Sequence, residues 1–120
     1  MNGKQLQQAA RRTAEALPGT GSGRPFTPKL DVYKAAGKVF LIVTDDPGEL
    51  IITVKAEPEH GRCLREGHPS ITAGRYLDKN HWISVGAGRD VTATLVKELV
   101  TDSYALVIDA APISRRPIRT

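Results

Sequence analysis

The chain of 120 residues has one Cys, one Met and one Trp, and its other aromatics are two Phe and three Tyr. A single thiol, Cys63, excludes an internal disulfide. Scarce aromatics mean that a core has to be built from Val, Ile, Leu and Ala, with Trp82 supplying a large share of the aromatic area. No apolar run comes near the roughly 20 residues that a membrane-spanning helix needs, so no membrane partner is expected. The start, Met-Asn-Gly-Lys-Gln-Leu-Gln-Gln, lacks the apolar stretch of a secretory signal peptide. The expected location is the cytoplasm.

What is present has the size and balance of one globular domain with one core, 40% hydrophobic and 25% charged. The net charge is +4, unevenly spread. Residues 1–44 carry seven Lys/Arg and two acids, residues 45–112 seven and eleven, and residues 113–120 three and none. A basic first third and a basic tail make an electrostatic footprint for nucleic acid only if the fold brings them together. Residues 1–112 read as the domain and 113–120 as a loose basic tail.

Periodicity gives the elements. Leu6, Ala9, Ala10, Thr13, Ala14 and Leu17 form one stripe of an amphipathic helix that Pro18-Gly19 ends. Three Gly and two Pro in residues 19–29 read as a loop, with Phe26 plugging the core. Runs Leu30–Lys34, Lys38–Thr44 and Glu49–Lys55, separated by Ala36-Gly37 and Asp45-Asp46-Pro47-Gly48, predict a three-stranded antiparallel meander with Val39–Val43 central. Pro58 opens a short helix to about residue 66. Residues 71–77 and 81–86 read as an extended pair joined at Asp78-Lys79-Asn80. Asp90 is placed to cap a helix through Val100, and Asp102 or Ser103 a second helical segment over 104–111, which Pro112 stops. Strands grouped together between helices predict an α+β two-layer sandwich, an antiparallel sheet with helices on one face.

Most apparent chemistry reduces to ordinary structure. Gly19-Thr-Gly-Ser-Gly-Arg24 resembles a phosphate cradle, but a helix precedes it and Pro25 follows, the reverse of the strand-to-helix order that such a loop needs. His60, Cys63 and His68 lack a paired fourth ligand for zinc, and read as a buried Cys with two surface His. No Gly-x-Ser-x-Gly elbow and no carboxylate pair placed for acid-base work occurs, so no enzyme, cofactor or metal is expected. Ser84 reads as a strand residue and Ser103 as a helix cap. The strongest local chemistry is Arg75, Tyr76, Lys79, Asn80, His81 and Trp82: cations for phosphate, flat rings for stacking and short polar groups for base edges. The plainer reading makes Trp82 a core residue and Lys79 and His81 a solvated turn.

Leu17-Pro18-Gly19, Val32-Tyr33-Lys34 followed by Gly37-Lys38-Val39-Phe40, Glu57-Pro58, Ile71-Thr72-x-Gly74, Lys79-x-His81-Trp82 and Asp102-Ser103-Tyr104 occur in an order and spacing that resemble the MmcQ/YjbR family. The resemblance implies a CyaY-like α+β fold and DNA binding through a double-wing arrangement of strands. It departs from the family pattern at Ala73, Arg75-Tyr76, Asp78, Asn80 and Ile83. The same fold includes iron binders with an acidic first helix; here that helix carries Lys4, Arg11 and Arg12 against Glu15, a poor donor set for a hard cation. The expected function is that of a non-enzymatic DNA-binding protein of low sequence specificity, contacting DNA through Lys34, Lys38, Arg75, Lys79, His81 and Trp82, helped by Arg115, Arg116 and Arg119. The alternative is a module that binds a protein or a small ligand.

Overall fold

The computed structural model describes residues 1–24, 30–45, 48–75 and 77–117. Helix α1 spans Gly3–Ala16. It opens on a capping box in which Asn2 accepts from the Gln5 amide at 2.8 Å and the Gln5 side chain accepts from the Asn2 amide at 3.0 Å. Leu6, Ala10 and Ala14 bury its apolar stripe, and the chain leaves the helix at Leu17, before Pro18 and a left-handed Gly19.

Six strands follow: β1 Gly21–Gly23, β2 Leu30–Ala35, β3 Lys38–Thr44, β4 Ile51–Lys55, β5 Ile71–Ala73 and β6 Trp82–Val85. They form one sheet in the order β1-β2-β3-β4-β6-β5, every neighbouring pair antiparallel. The meander β2-β3-β4 is the expected one. Strand β1 is not: a loop was expected, yet Gly21, Ser22 and Gly23 pair with Lys34, Tyr33 and Val32. At a sheet edge the backbone alone supplies the ladder, so glycine's missing side chain does not forbid it. Phe26, expected in the core, lies outside the described residues, as does the Asp46-Pro47 part of the β3-β4 turn. Ala36 and Gly37 both take positive φ, 52° and 78°, the backbone of a tight two-residue hairpin turn.

Helix α2, Pro58–Gly67, crosses from β4 to the outer strand β5, and β6 returns between the two. Helix α3 runs unbroken from Ala93 to Ala110, not as two segments. Its cap is Thr92, which accepts from the Leu95 amide. Asp90, expected in that role, instead accepts from the Ser70 amide at 3.0 Å and the Ser70 hydroxyl at 2.6 Å, which hold its carboxyl below the usual range. Ser103 caps nothing; it is fully buried in the middle of α3. The helices cover one face of the sheet, where Leu6, Val96, Leu99, Val100 and Val107 meet Leu41, Val43, Ile52, Val54, Ile83 and Val85. A register shift between Tyr33 and Lys34 makes Phe40 the extra residue of a bulge and turns it into this core, edge-on to Tyr104 with ring centroids 5.4 Å apart. The second face carries Leu30, Val32, Val39 and Ile42 on its β2-β3 side.

Asp31 ties α1 to the sheet. Its carboxylate accepts from Arg11 Nη2 at 2.6 Å and from Arg24 Nε at 2.5 Å. Burial pushes the Asp31 pKa up, but the hydrogen bonds from the two guanidinium groups outweigh it and hold the carboxyl below the usual range. A depressed folded-state pKa stabilises the fold fully above the unfolded value of about 3.9, and that contribution disappears as pH falls through the folded value. Asp31→Asn is therefore expected to lower the melting temperature at pH 7 and to shallow the further drop below about pH 4. Thermal unfolding over that range checks it; parallel curves for the two proteins would contradict the assignment.

Candidate nucleic-acid interface

One end of the sheet collects the β2-β3 turn, the C-terminal end of β4, the start of β6 and the end of β5. Lys34 lies on β2, paired with Val39, and Lys38 opens β3, paired with Ala35. Both are exposed, and neither has an ion-pair partner among the described residues. Residues 113–117, the described part of the expected basic tail, lie at the same end. A short 3-10 turn spans Ile113–Arg115, a Cβ placed on Gly37 would lie 3.7 Å from Arg115 Nη1, and one on Gly19 would lie 2.9 Å from Pro117 Cβ. Arg116 is spent on α3, donating to Ala111 O at 3.1 Å and Asp109 O at 3.0 Å, a cation at the negative helix end. Arg119 lies outside the described residues.

The β5-β6 connection is built on Asp78. Its carboxylate accepts from the Asn80 amide at 2.8 Å and from His81 Nδ1 at 2.6 Å. The Asn80 amide first, and then the His81 ring, hold the Asp78 carboxyl below the usual range. An ionised carboxylate only accepts, so the His81 proton facing it sits on Nδ1. Lys79 stands exposed at the tip with no ion pair among the described residues. Arg75 is bound at 2.6 Å to Glu49, which lies in the connection between β3 and β4. Tyr76 lies outside the described residues.

Trp82 lies opposite Lys55 in register and is half-buried. Its neighbour Ile83 points into the helix-side core, so alternation puts Trp82 on the second face, beside Gly74, whose amide donates to Trp82 O at 2.8 Å. Neither the fully buried core residue nor the exposed stacking platform of the two sequence readings describes it.

Of the six expected contact residues, the structure leaves Lys34, Lys38 and Lys79 uncommitted and binds Arg75 and His81 to carboxylates. Sequence could not show the Arg75 pairing, since Glu49 is 26 positions away, whereas Asp78 and His81 lie only three positions apart. Around the corner, on the helix side, the surface turns acidic. A cleft of about 260 Å³ between α3 and the start of α2 is lined by Glu57, Asp102 and Asp109, with Lys55 and His60. Cys63 is exposed on α2, against the expected buried thiol, because only Gly61 and Leu64 of that helix face inward. Among the described residues no three His, Cys, Asp or Glu side chains are grouped to hold a metal, and no helix is long and apolar enough to cross a membrane.

A sheet of this order with these three helices can be compared with known proteins. The family model for YjbR matches residues 15–106, a span that holds every strand and reaches into the C-terminal half of α3. The chain belongs to the YjbR family. This YjbR-family protein is 35% identical over 109 residues to the protein YbdF of Escherichia coli O157:H7, across 91% of this chain and 89% of that one. It is 25% identical over 90 residues to YjbR of Escherichia coli K12, 75% and 76% of the two chains. Among solved structures it is similar to Deinococcus radiodurans DR2400, which carries the DUF419 domain, with a TM-score of 0.79, 30% identity, and 88% and 80% coverage. A Pseudomonas syringae protein shares the fold at a TM-score of 0.71 and 24% identity, over 88% of this chain and 98% of that one. None of these names states an activity or a ligand.

Proposed function

We propose that this YjbR-family protein is a non-enzymatic nucleic-acid-binding module of low sequence specificity, in the double-wing manner that the family resemblance implies. The observation that carries the reading is the gathering of Lys34, Lys38 and Lys79 at one end of the sheet, exposed and free of ion pairs among the described residues, with Arg115 reaching the same hairpin. Duplex or single-stranded DNA offers phosphates to such ammonium groups. The half-exposed Trp82 adds a flat apolar surface between the two turns. In this reading Arg75 and His81 are engaged by Glu49 and Asp78 and are not direct phosphate ligands, and the Asp78–His81 contact holds the connection that presents Lys79. No base-reading helix is involved, which fits low specificity.

Three lysine contacts to duplex DNA predict a log-log salt slope of about −2.7. In electrophoretic shift at low salt, Lys34→Glu with Lys38→Glu is expected to weaken binding by roughly tenfold or more and to flatten the slope by about two contacts. Absence of a shift at micromolar protein on both duplex and single-stranded DNA would end the proposal.

A further inference from the structure

The β4-β6-β5 side of the second sheet face is built differently from its β2-β3 side. Where Val32 and Ile42 stand on one side, Thr53, Ser84 and Thr72 stand on the other, in register across three adjacent strands. Thr53 is fully buried and Ser84 is 2% exposed, joined Oγ1 to Oγ at 2.8 Å. A hydroxyl pair uses one of its two hydrogens internally, so one donor and several lone pairs are left over. A buried hydroxyl is costly unless satisfied, and apolar side chains would fill a sheet face more cheaply.

Ser84 and Thr72 open into a cavity of about 230 Å³ that Ser70, Glu49 and Arg75 also line. Glu49 and Arg75 form its ion pair, with side chains 55% and 33% exposed. Gly86 lines the same cavity, and a Cβ there would sit 3.0 Å from Glu49 Oε1, so the absence of a side chain makes room for the carboxylate. One charge of each sign thus stands beside a row of hydroxyls.

We propose that this cavity binds a small zwitterion of the α-amino acid class, its carboxylate on Arg75 and the Ser84 and Thr72 hydroxyls and its ammonium on Glu49. The charge pattern selects the class. An anion alone would take Arg75 and leave Glu49 unpaired beside it; a cation alone would strand Arg75 in the same way. A zwitterion replaces both halves of the pair. An exposed ion pair is worth little, so parting it costs little. The volume lies below the roughly 300 Å³ at which drug-sized pockets begin, which limits the ligand to a few heavy atoms. This site uses Arg75 but none of the uncommitted lysines, and it stands or falls apart from the nucleic-acid reading.

The test titrates the isotopically labelled full chain, without DNA, with glycine, L-alanine and L-serine up to about 10 mM, a range suited to weak ligands of this size. Saturable amide shifts confined to residues 70–75, 84–87 and 49 are expected, with Glu49→Gln and Arg75→Gln each weakening binding by about tenfold or more. Both side chains are partly exposed, so the variants are expected to keep the wild-type spectrum elsewhere. Linear shifts that do not saturate, equal shifts from acetate or methylammonium alone, or unchanged affinity in Glu49→Gln would each overturn the proposal.

Discussion

Replacing Ser103 with Ala is expected to destabilise the fold by about 2–6 kcal/mol, because one hydroxyl completes a ladder that the backbone cannot. The β3-β4 register ends at Leu41 opposite Val54. One step further the bulge has turned Phe40 toward the helices, and Phe40 and Lys55 no longer pair directly. Ser103 of α3 fills the gap: its Oγ donates to Phe40 O at 2.6 Å and accepts from the Lys55 amide at 2.8 Å. The site is fully buried, so Ala leaves a carbonyl and an amide without partners, and each such group costs about 1–3 kcal/mol. A helix-capping serine, the role its sequence context suggests, would be worth about 1 kcal/mol. Urea unfolding separates the two: a midpoint shift equivalent to more than about 2 kcal/mol at unchanged slope supports the bridge, and a loss of under 1 kcal/mol would refute it.

The same residue shows where sequence reasoning reaches its limit. Asp102-Ser103 has the composition of a helix start, and nothing local says otherwise; what decides is Phe40, 63 positions away. Asp90 is a parallel case: its sequence context is that of a helix cap, but its partner Ser70 lies 20 positions back. Elements that depend on local pattern were legible: the stripe of α1, the Lys38–Thr44 strand and the Ala36-Gly37 turn stand where periodicity and turn chemistry put them. Strand β1 was hidden, because an edge strand of Gly-Ser-Gly has no side-chain signature.

The candidate site was half legible. Residue type announced cations near the two turns, and the fold does bring Lys34, Lys38 and Lys79 to one end of the sheet. Which cations stay uncommitted is a property of long-range pairing, so Arg75 with Glu49 and Arg115 near Gly37 could not be read from the chain. The hydroxyl row has no sequence signature, because Thr53, Thr72 and Ser84 are ordinary strand residues singly. Only the insertion of β6 between β4 and β5 sets them side by side.

Gly74→Ala is expected to cost about 1–3 kcal/mol or more and to disturb Trp82 directly. A Cβ at Gly74 would lie 2.7 Å from Trp82 Cβ, 3.0 Å from Trp82 O and 3.1 Å from Trp82 C. Two of those three atoms are backbone, and the Gly74 amide is itself bonded to Trp82 O at 2.8 Å. The clash therefore cannot be relieved by a rotamer change; it has to open the end of the β5-β6 pair. Gly23→Ala is the control, since a Cβ there meets nothing within 4 Å, and its cost should stay below about 1 kcal/mol. Because Trp82 is the sole Trp, its fluorescence reports the displacement without labelling. A red-shifted emission with lowered stability in Gly74→Ala, absent in Gly23→Ala, is the expected pair of results. The opened strand end also carries Arg75 away from Glu49, so the variant should lose the amino acid response of the hydroxyl-lined cavity while Lys34 and Lys38 stay in place. Wild-type fluorescence and stability in Gly74→Ala would show that the close approach at Trp82 does not hold this end of the sheet.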